Sequence, residues 1–165
     1  MRTRRAAREQ ALQWLYQVDV GKTDLEDALA EAHRILQPEG LAFACQLLRG
    51  AVANIQTIDP LIARYAEDWS LDRMASIDRN VLRLAVFEIL HLPDIPPSVS
   101  IDEAVELAKK YSTAESGKFV NGVLGSLLRD LEQGVVAEPV AAAQPQVPNP
   151  ESEDREQAPP GEMEA

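Results

Sequence analysis

Four arginines, Arg2, Arg4, Arg5 and Arg8, stand at the start of the chain ahead of the first apolar positions. Arg4 and Arg8 are one helical turn apart, and Arg5 and Arg8 are three residues apart, so on a helix their guanidinium groups project from neighbouring faces. Positive charge in a first turn opposes the helix macrodipole and costs about 0.3–1 kcal/mol, which gives a sequence chosen for folding alone little reason to place it there. Guanidinium suits phosphate by its charge and two-pronged geometry, and a cluster would give salt-dependent attraction to a nucleic-acid backbone. Two readings stand on these residues alone: a phosphate grip, and a solvated basic helix end.

Residues for catalysis are harder to find. No phosphate-binding glycine loop, no HExxH and no GxSxG is present. His33 and His91 are isolated from each other and from Cys45, the single cysteine, which is expected to fill core space. Glu103 and Glu106 sit three apart, a spacing that fits solvated helix surface or N-terminal capping. No catalytic residue, metal site or cofactor is therefore assigned.

A second candidate surface lies in Ser116 to Leu128. Phe119 follows Lys118 at the expected beginning of the last helix, where it serves either as a base-stacking aromatic beside a cation or as core packing. Gly122 and Gly125 inside the same helix predict close approach of another helix backbone. Tyr16, eight residues beyond Arg8, falls on the arginine side of the first helix, offering its ring edge or hydroxyl there or packing half-buried.

The elements that position these groups read as helices throughout, since helical spacing recurs and sustained alternation does not. Ala7, Ala11, Leu15 and Val18 define the first helix, with Gly21 placed to end it. A second runs from about Asp24 to Leu36 and stops before Pro38 and Gly40. A third passes through Ala44, Leu48, Ala51, Val52 and Ile55 to Asp59-Pro60, read as an N-cap and first helical position for a segment reaching Trp69. Ser70 suggests the next start, ahead of a stripe from Ile77 to Ile89 that ends at Leu92. The Pro93–Pro97 stretch is read as loop, Ser100 and Glu103 as a capping box opening a sixth helix, and Gly134 as the end of the last. The five prolines of residues 1–134 thus fall at expected boundaries, and the fold class is all-α with about seven helices.

Composition divides the 165 residues in two. Residues 135–165 hold six of the eleven prolines and seven acidic residues against Arg155, with few large apolar side chains, and are expected to be a disordered acidic tail. That leaves 1–134 as one helical domain. The longest apolar run, Leu41 to Cys45, falls far short of the roughly 20 residues that span a bilayer, so no membrane partner is expected. One cysteine excludes an internal disulfide and points to a reducing compartment.

Four ordered blocks carry a resemblance. RAAREQALQWLYQ at Arg5 to Gln17, IDRNVLRLAVFEIL at Ile77 to Leu90, DIPPSVSIDEAVELAKKY at Asp94 to Tyr111 and KFVNGVL at Lys118 to Leu124 resemble the NusB family of bacterial transcription antitermination factors over about residues 2–131. The resemblance implies two packed helical subdomains in a cytoplasmic, non-enzymatic protein. It implies RNA binding at a boxA-like element of nascent ribosomal RNA transcripts, with a small-subunit ribosomal protein acting as elongation factor, on the RNA polymerase elongation complex. It further implies an RNA contact set of Arg2, Arg4, Arg5, Arg8, Tyr16, Lys118 and Phe119, and a partner contact at Asp78. Gly117, where a larger residue is usual, is expected to soften the start of the last helix. The acidic tail is outside the family pattern.

The alternative reading is an interaction adaptor whose basic arm meets an acidic protein surface. A third, the NusB-like domain of RNA cytosine methyltransferases, would require a following domain for the methyl donor.

Overall fold

The computed structural model describes residues 2–35, 38–67 and 69–135. These contain seven helices and no strand: α1 (Arg2–Asp19), α2 (Leu25–Ile35), α3 (Pro38–Ala53), α4 (Ile55–Tyr65), α5 (Ser76–His91), α6 (Pro97–Tyr111) and α7 (Ala114–Glu132). Leu36 and the expected tail beyond Val135 lie outside the described residues.

Helix α5 is the axis of the fold. Val81, Leu82, Leu84, Ala85, Val86 and Phe87 are all buried, so it is apolar on nearly every side and must be surrounded. Helices α1–α3 pack on one side and α4, α6 and α7 on the other, giving two helical subdomains with one continuous core. Small residues set the closest approach: α1 meets α3 through Ala7, Ala11, Ala44 and Gly40, and a side chain on Gly40 would touch Thr3. At Gly50 a Cβ would fall 2.0 Å from Phe87 Cζ, so α3 crosses α5 with the Phe87 ring filling the place of a side chain.

Ion pairs, buried at one end and part-buried at the other, clamp α1 antiparallel to α5. Near the start, Arg8 donates to both oxygens of Glu88, with Nη2 2.7 Å from Oε1, although the two residues are only 4% and 2% exposed. At the other end Asp19 Oδ2 accepts from Arg79 at 2.6 and 2.9 Å and from Asn80 at 3.1 Å, and Arg83 bridges Asp19 to Asp59 on α4. Burial alone would push the Asp19 carboxyl up, but hydrogen bonds from Arg79 and Asn80 and the charges of Arg83 and Arg79 outweigh it and hold it below its ordinary value. Buried charges are tolerated when paired and hydrogen-bonded in this way.

Several sequence expectations are corrected. Asp59-Pro60 is interior to α4, not an N-cap, because Asp59 is drawn onto Arg83. The third helix ends at Ala53, short of Ile55. Pro38 opens α3 and Pro97 opens α6, each at a first helical position whose N–H would be unpaired anyway. The capping box at Ser100 and Glu103 does not form: Ser100 is buried three residues inside α6 and donates to Glu88 at 3.2 Å, while Glu103 turns to Arg5. Ser70 opens only a turn, and α5 begins at Ser76. Gly122 and Gly125 face open space, with nothing within 4 Å of an added Cβ. The close approach belongs to Gly117, where a Cβ would meet Lys109 Cγ at 2.7 Å, so this residue seats α7 on α6 rather than softening the helix start. Gly134, with φ of +71°, adopts the left-handed conformation expected after a helix end.

Candidate functional site

The arginine arm is divided by burial. Arg8 is committed to Glu88, and its guanidinium carbon also lies 5.3 Å from the centre of the Phe43 ring. Arg4 is exposed and covers the same ring at 5.5 Å, with no carboxylate partner among the described residues. Arg5 is 60% exposed at its side chain and donates Nε and Nη2 to Glu103 at 3.1 and 2.9 Å. Arg2 opens α1, but its side chain lies outside the described residues. Arg8 therefore anchors the arm, and Arg4 and Arg5 present charge to solvent.

Beside Arg4 and Arg5 runs a groove of about 470 Å³ with an apolar floor of Ile95, Pro96 and Val99 and with Glu103 on its rim. The proline-rich α5–α6 connection supplies this floor: Ile95 is buried and anchors the turn, while Pro96 and Val99 remain exposed. Lys109 and Lys110 continue the basic character along α6, interleaved with Glu9, Glu103 and Glu106. Lys110 pairs with Glu9 at 2.7 Å.

A second cleft, of about 550 Å³, lies between the α4–α5 connection and the start of α7. Trp69, Arg73, Met74, Asp78, Ser116 and Phe119 line it. Phe119 is half-buried against the core, one turn further into α7 than expected, because the helix begins at Ala114. Thr113 caps that helix by accepting from the Ser116 backbone N–H at 3.0 Å. The Ser116 hydroxyl then donates to Asp78 Oδ2 at 3.0 Å, and Asp78 Oδ1 is buried with no partner among the described residues. Burial pushes the Asp78 carboxyl above its ordinary value, and hydrogen bonds from Ser116 and Ser112 offset only part of that rise. Trp69, by contrast, is 55% exposed at the mouth.

Asp78 and Phe119 thus share one cleft although the sequence separates them by 41 residues. Lys118 is exposed next to it, within 3.6 Å of Glu115. Tyr16 lines neither this cleft nor the arginine groove; its ring is partly exposed on the outer face of α1. Sequence reasoning did not single out Phe43, the Ile95–Val99 floor or Trp69. Only Trp69 carried a local signal, as a large aromatic between acidic residues and a serine.

No three histidine, cysteine or carboxylate side chains converge as metal ligands among the described residues, and no helix there is long and apolar enough to cross a membrane. An all-helical domain with a solvent-facing cationic arm and a separate aromatic cleft is the architecture of a binding protein. The NusB family model matches residues 5–129, and the chain belongs to the NusB family. A relative from Symbiobacterium thermophilum, the transcription antitermination protein NusB, is 47% identical over 140 residues, covering 79% of this chain and 92% of its own. Among solved structures, NusB of T. maritima superimposes with a TM-score of 0.71 at 42% identity, over 81% of this chain and 97% of that one. A further structure, of antitermination factors NusB and NusE in complex with dsRNA, matches with a TM-score of 0.68 at 33% identity, over 78% and 98% of the two chains.

Proposed function

We propose that this chain is a non-enzymatic antitermination factor of the cytoplasm that binds a boxA-like element of nascent ribosomal RNA, together with a small-subunit ribosomal protein, and so modifies elongating RNA polymerase. The observation that carries this reading is the exposed Arg4 and Arg5 pair, held on a rigid base by the buried Arg8–Glu88 pair, in a chain of the NusB family. Two unburied guanidinium groups on a fixed helix suit phosphates, which position an RNA without reading its bases. Phe119 and Lys118, with Trp69 nearby, offer stacking and charge for an unpaired base. Asp78, which lines the same cleft, is the residue assigned to the partner protein. Tyr16 has the weakest support, since it stands apart from both surfaces.

The test is binding of a boxA-like RNA and a scrambled control, with and without the ribosomal protein, to the wild type and to Arg4→Ala/Arg5→Ala. Preference for the boxA-like RNA, reduced in the double variant, is expected. Equal binding to both RNAs, untouched by the substitutions, overturns the reading and leaves the interaction adaptor in its place.

A further inference from the structure

We propose that the groove between Arg4, Arg5 and the Ile95–Pro96–Val99 floor is the docking place of this chain's own acidic C-terminal segment, residues 136–165, which there excludes RNA. The proposal rests on the arm being the phosphate-binding surface.

Segment and groove are chemically complementary. The segment carries seven carboxylates against Arg155, and six prolines with interspersed valines. Its acidic side chains match the arm. Proline-rich backbone suits an apolar floor because, in an extended polyproline form, it needs no hydrogen-bonded ladder to lie against one. The groove already accepts carboxylate in this manner: Glu103 takes Arg5 with both oxygens, while Arg4 has only the Phe43 face. One guanidinium is thus without a carboxylate among the described residues, and the other is held by an exposed pair that solvent screens.

The segment is also long enough to reach the groove. Helices α6 and α7 are joined by two residues and packed along their lengths, with Gly117 seated on Lys109, so α7 returns the chain toward the end of α6 where Pro96 and Val99 lie. Val135, the last described residue, is exposed. From there to the acidic run Glu151, Glu153, Asp154 and Glu156 the chain can extend about 50 Å, against roughly 36 Å for the diameter of a domain of this size. A tether of that length holds its acidic run at about millimolar effective concentration, so even a weak contact competes with an incoming phosphate backbone.

The experiment has two arms. In the first, a labelled peptide of residues 136–165 is titrated into the chain ended after Val135, a form whose integrity is supported by the solved relative that matches this chain over 97% of its own length without such a segment. Saturable binding is expected, weakened by Arg4→Ala/Arg5→Ala and also by Val99→Ser, which removes floor without changing charge. No binding, or binding indifferent to both changes, overturns the proposal. In the second arm, the full chain with the seven tail carboxylates changed to amides should bind the boxA-like RNA roughly three- to tenfold more tightly at low salt, with the gap closing at high salt. Unchanged RNA affinity overturns the competition. Peptide docking with no RNA binding by any form would remove the RNA reading and leave the docking standing.

Discussion

Arg8 and Glu88 face each other across the α1–α5 contact in a buried two-pronged ion pair, and Ser100 of α6 donates to the same Glu88 oxygen at 3.2 Å. One carboxylate therefore ties together three helices and fixes the direction of the arginine arm. Removing Arg8 leaves that carboxylate buried without its counter-charge, so Arg8→Ala should lose about 3–5 kcal/mol in urea unfolding. Arg4→Ala, at an exposed position, should stay within about 0.5 kcal/mol of the wild type. For RNA the pattern changes: Arg4→Ala weakens binding across sequences and reduces the salt slope by about one. Equal stability of the two variants would show that Arg8 is not the anchor.

Glu103 competes with phosphate for Arg5. The hydrogen bond from Arg5 holds the Glu103 carboxyl below its ordinary value against the opposing effect of burial, with the charges of Arg5 and Arg8 assisting, so it stays ionised near neutral pH. Glu103→Gln keeps the shape and removes the charge. RNA affinity of this variant should rise about two- to fivefold at low salt, the scale of an exposed pair, with little change in melting temperature. A fall in affinity would mean that Glu103 orients Arg5 for RNA instead of withholding it.

The glycines separate close packing from simple helix weakening. Gly50→Ala drives a methyl into the Phe87 ring, which itself stacks on His91 with centroids 5.1 Å apart, so overpacking should destabilise by about 1–3 kcal/mol. Gly50→Ala/Phe87→Leu should recover part of that loss. Gly122→Ala and Gly125→Ala meet open space and should each stabilise by roughly 0.5–1 kcal/mol. Thermal melts of the four variants settle the order.

What the sequence made legible follows from the range of each signal. Periodicity revealed the helices because an apolar stripe is local, and Gly134 marked an end because a left-handed residue is local too. The misplaced boundaries share one cause, a long-range partner outbidding a local motif. Ser100 has capping chemistry but is drawn to Glu88, and Asp59 precedes a proline but is drawn to Arg83. The arm was visible as four arginines, yet nothing in their spacing distinguished the buried Arg8 from the exposed Arg4, since that depends on Glu88, 80 residues away. Phe43 and the Ile95–Val99 floor gave no signal because these ordinary apolar residues meet the arm only once α1 is packed on α3 and beside the α5–α6 connection.

Asp78 gives the remaining prediction its sign. Its carboxyl is raised in the folded chain, so between the unfolded value of about 3.9 and the raised folded value the folded state binds more protons than the unfolded one. Stability from this residue therefore falls as pH climbs through that window, and the full penalty of a buried, half-satisfied carboxylate is present at neutral pH. Asp78→Asn removes the charge, so its advantage over the wild type in unfolding free energy should grow with pH across the window and then level off. With Asp78 as the partner contact lining the cleft, the same variant should also bind the ribosomal protein roughly tenfold more weakly at neutral pH, the loss expected for a hydrogen bond to a charged group. Parallel pH series of denaturant unfolding and partner titration measure both. A variant that gains stability yet keeps full partner affinity would return Asp78 to a structural role and leave the cleft to Phe119 and Trp69.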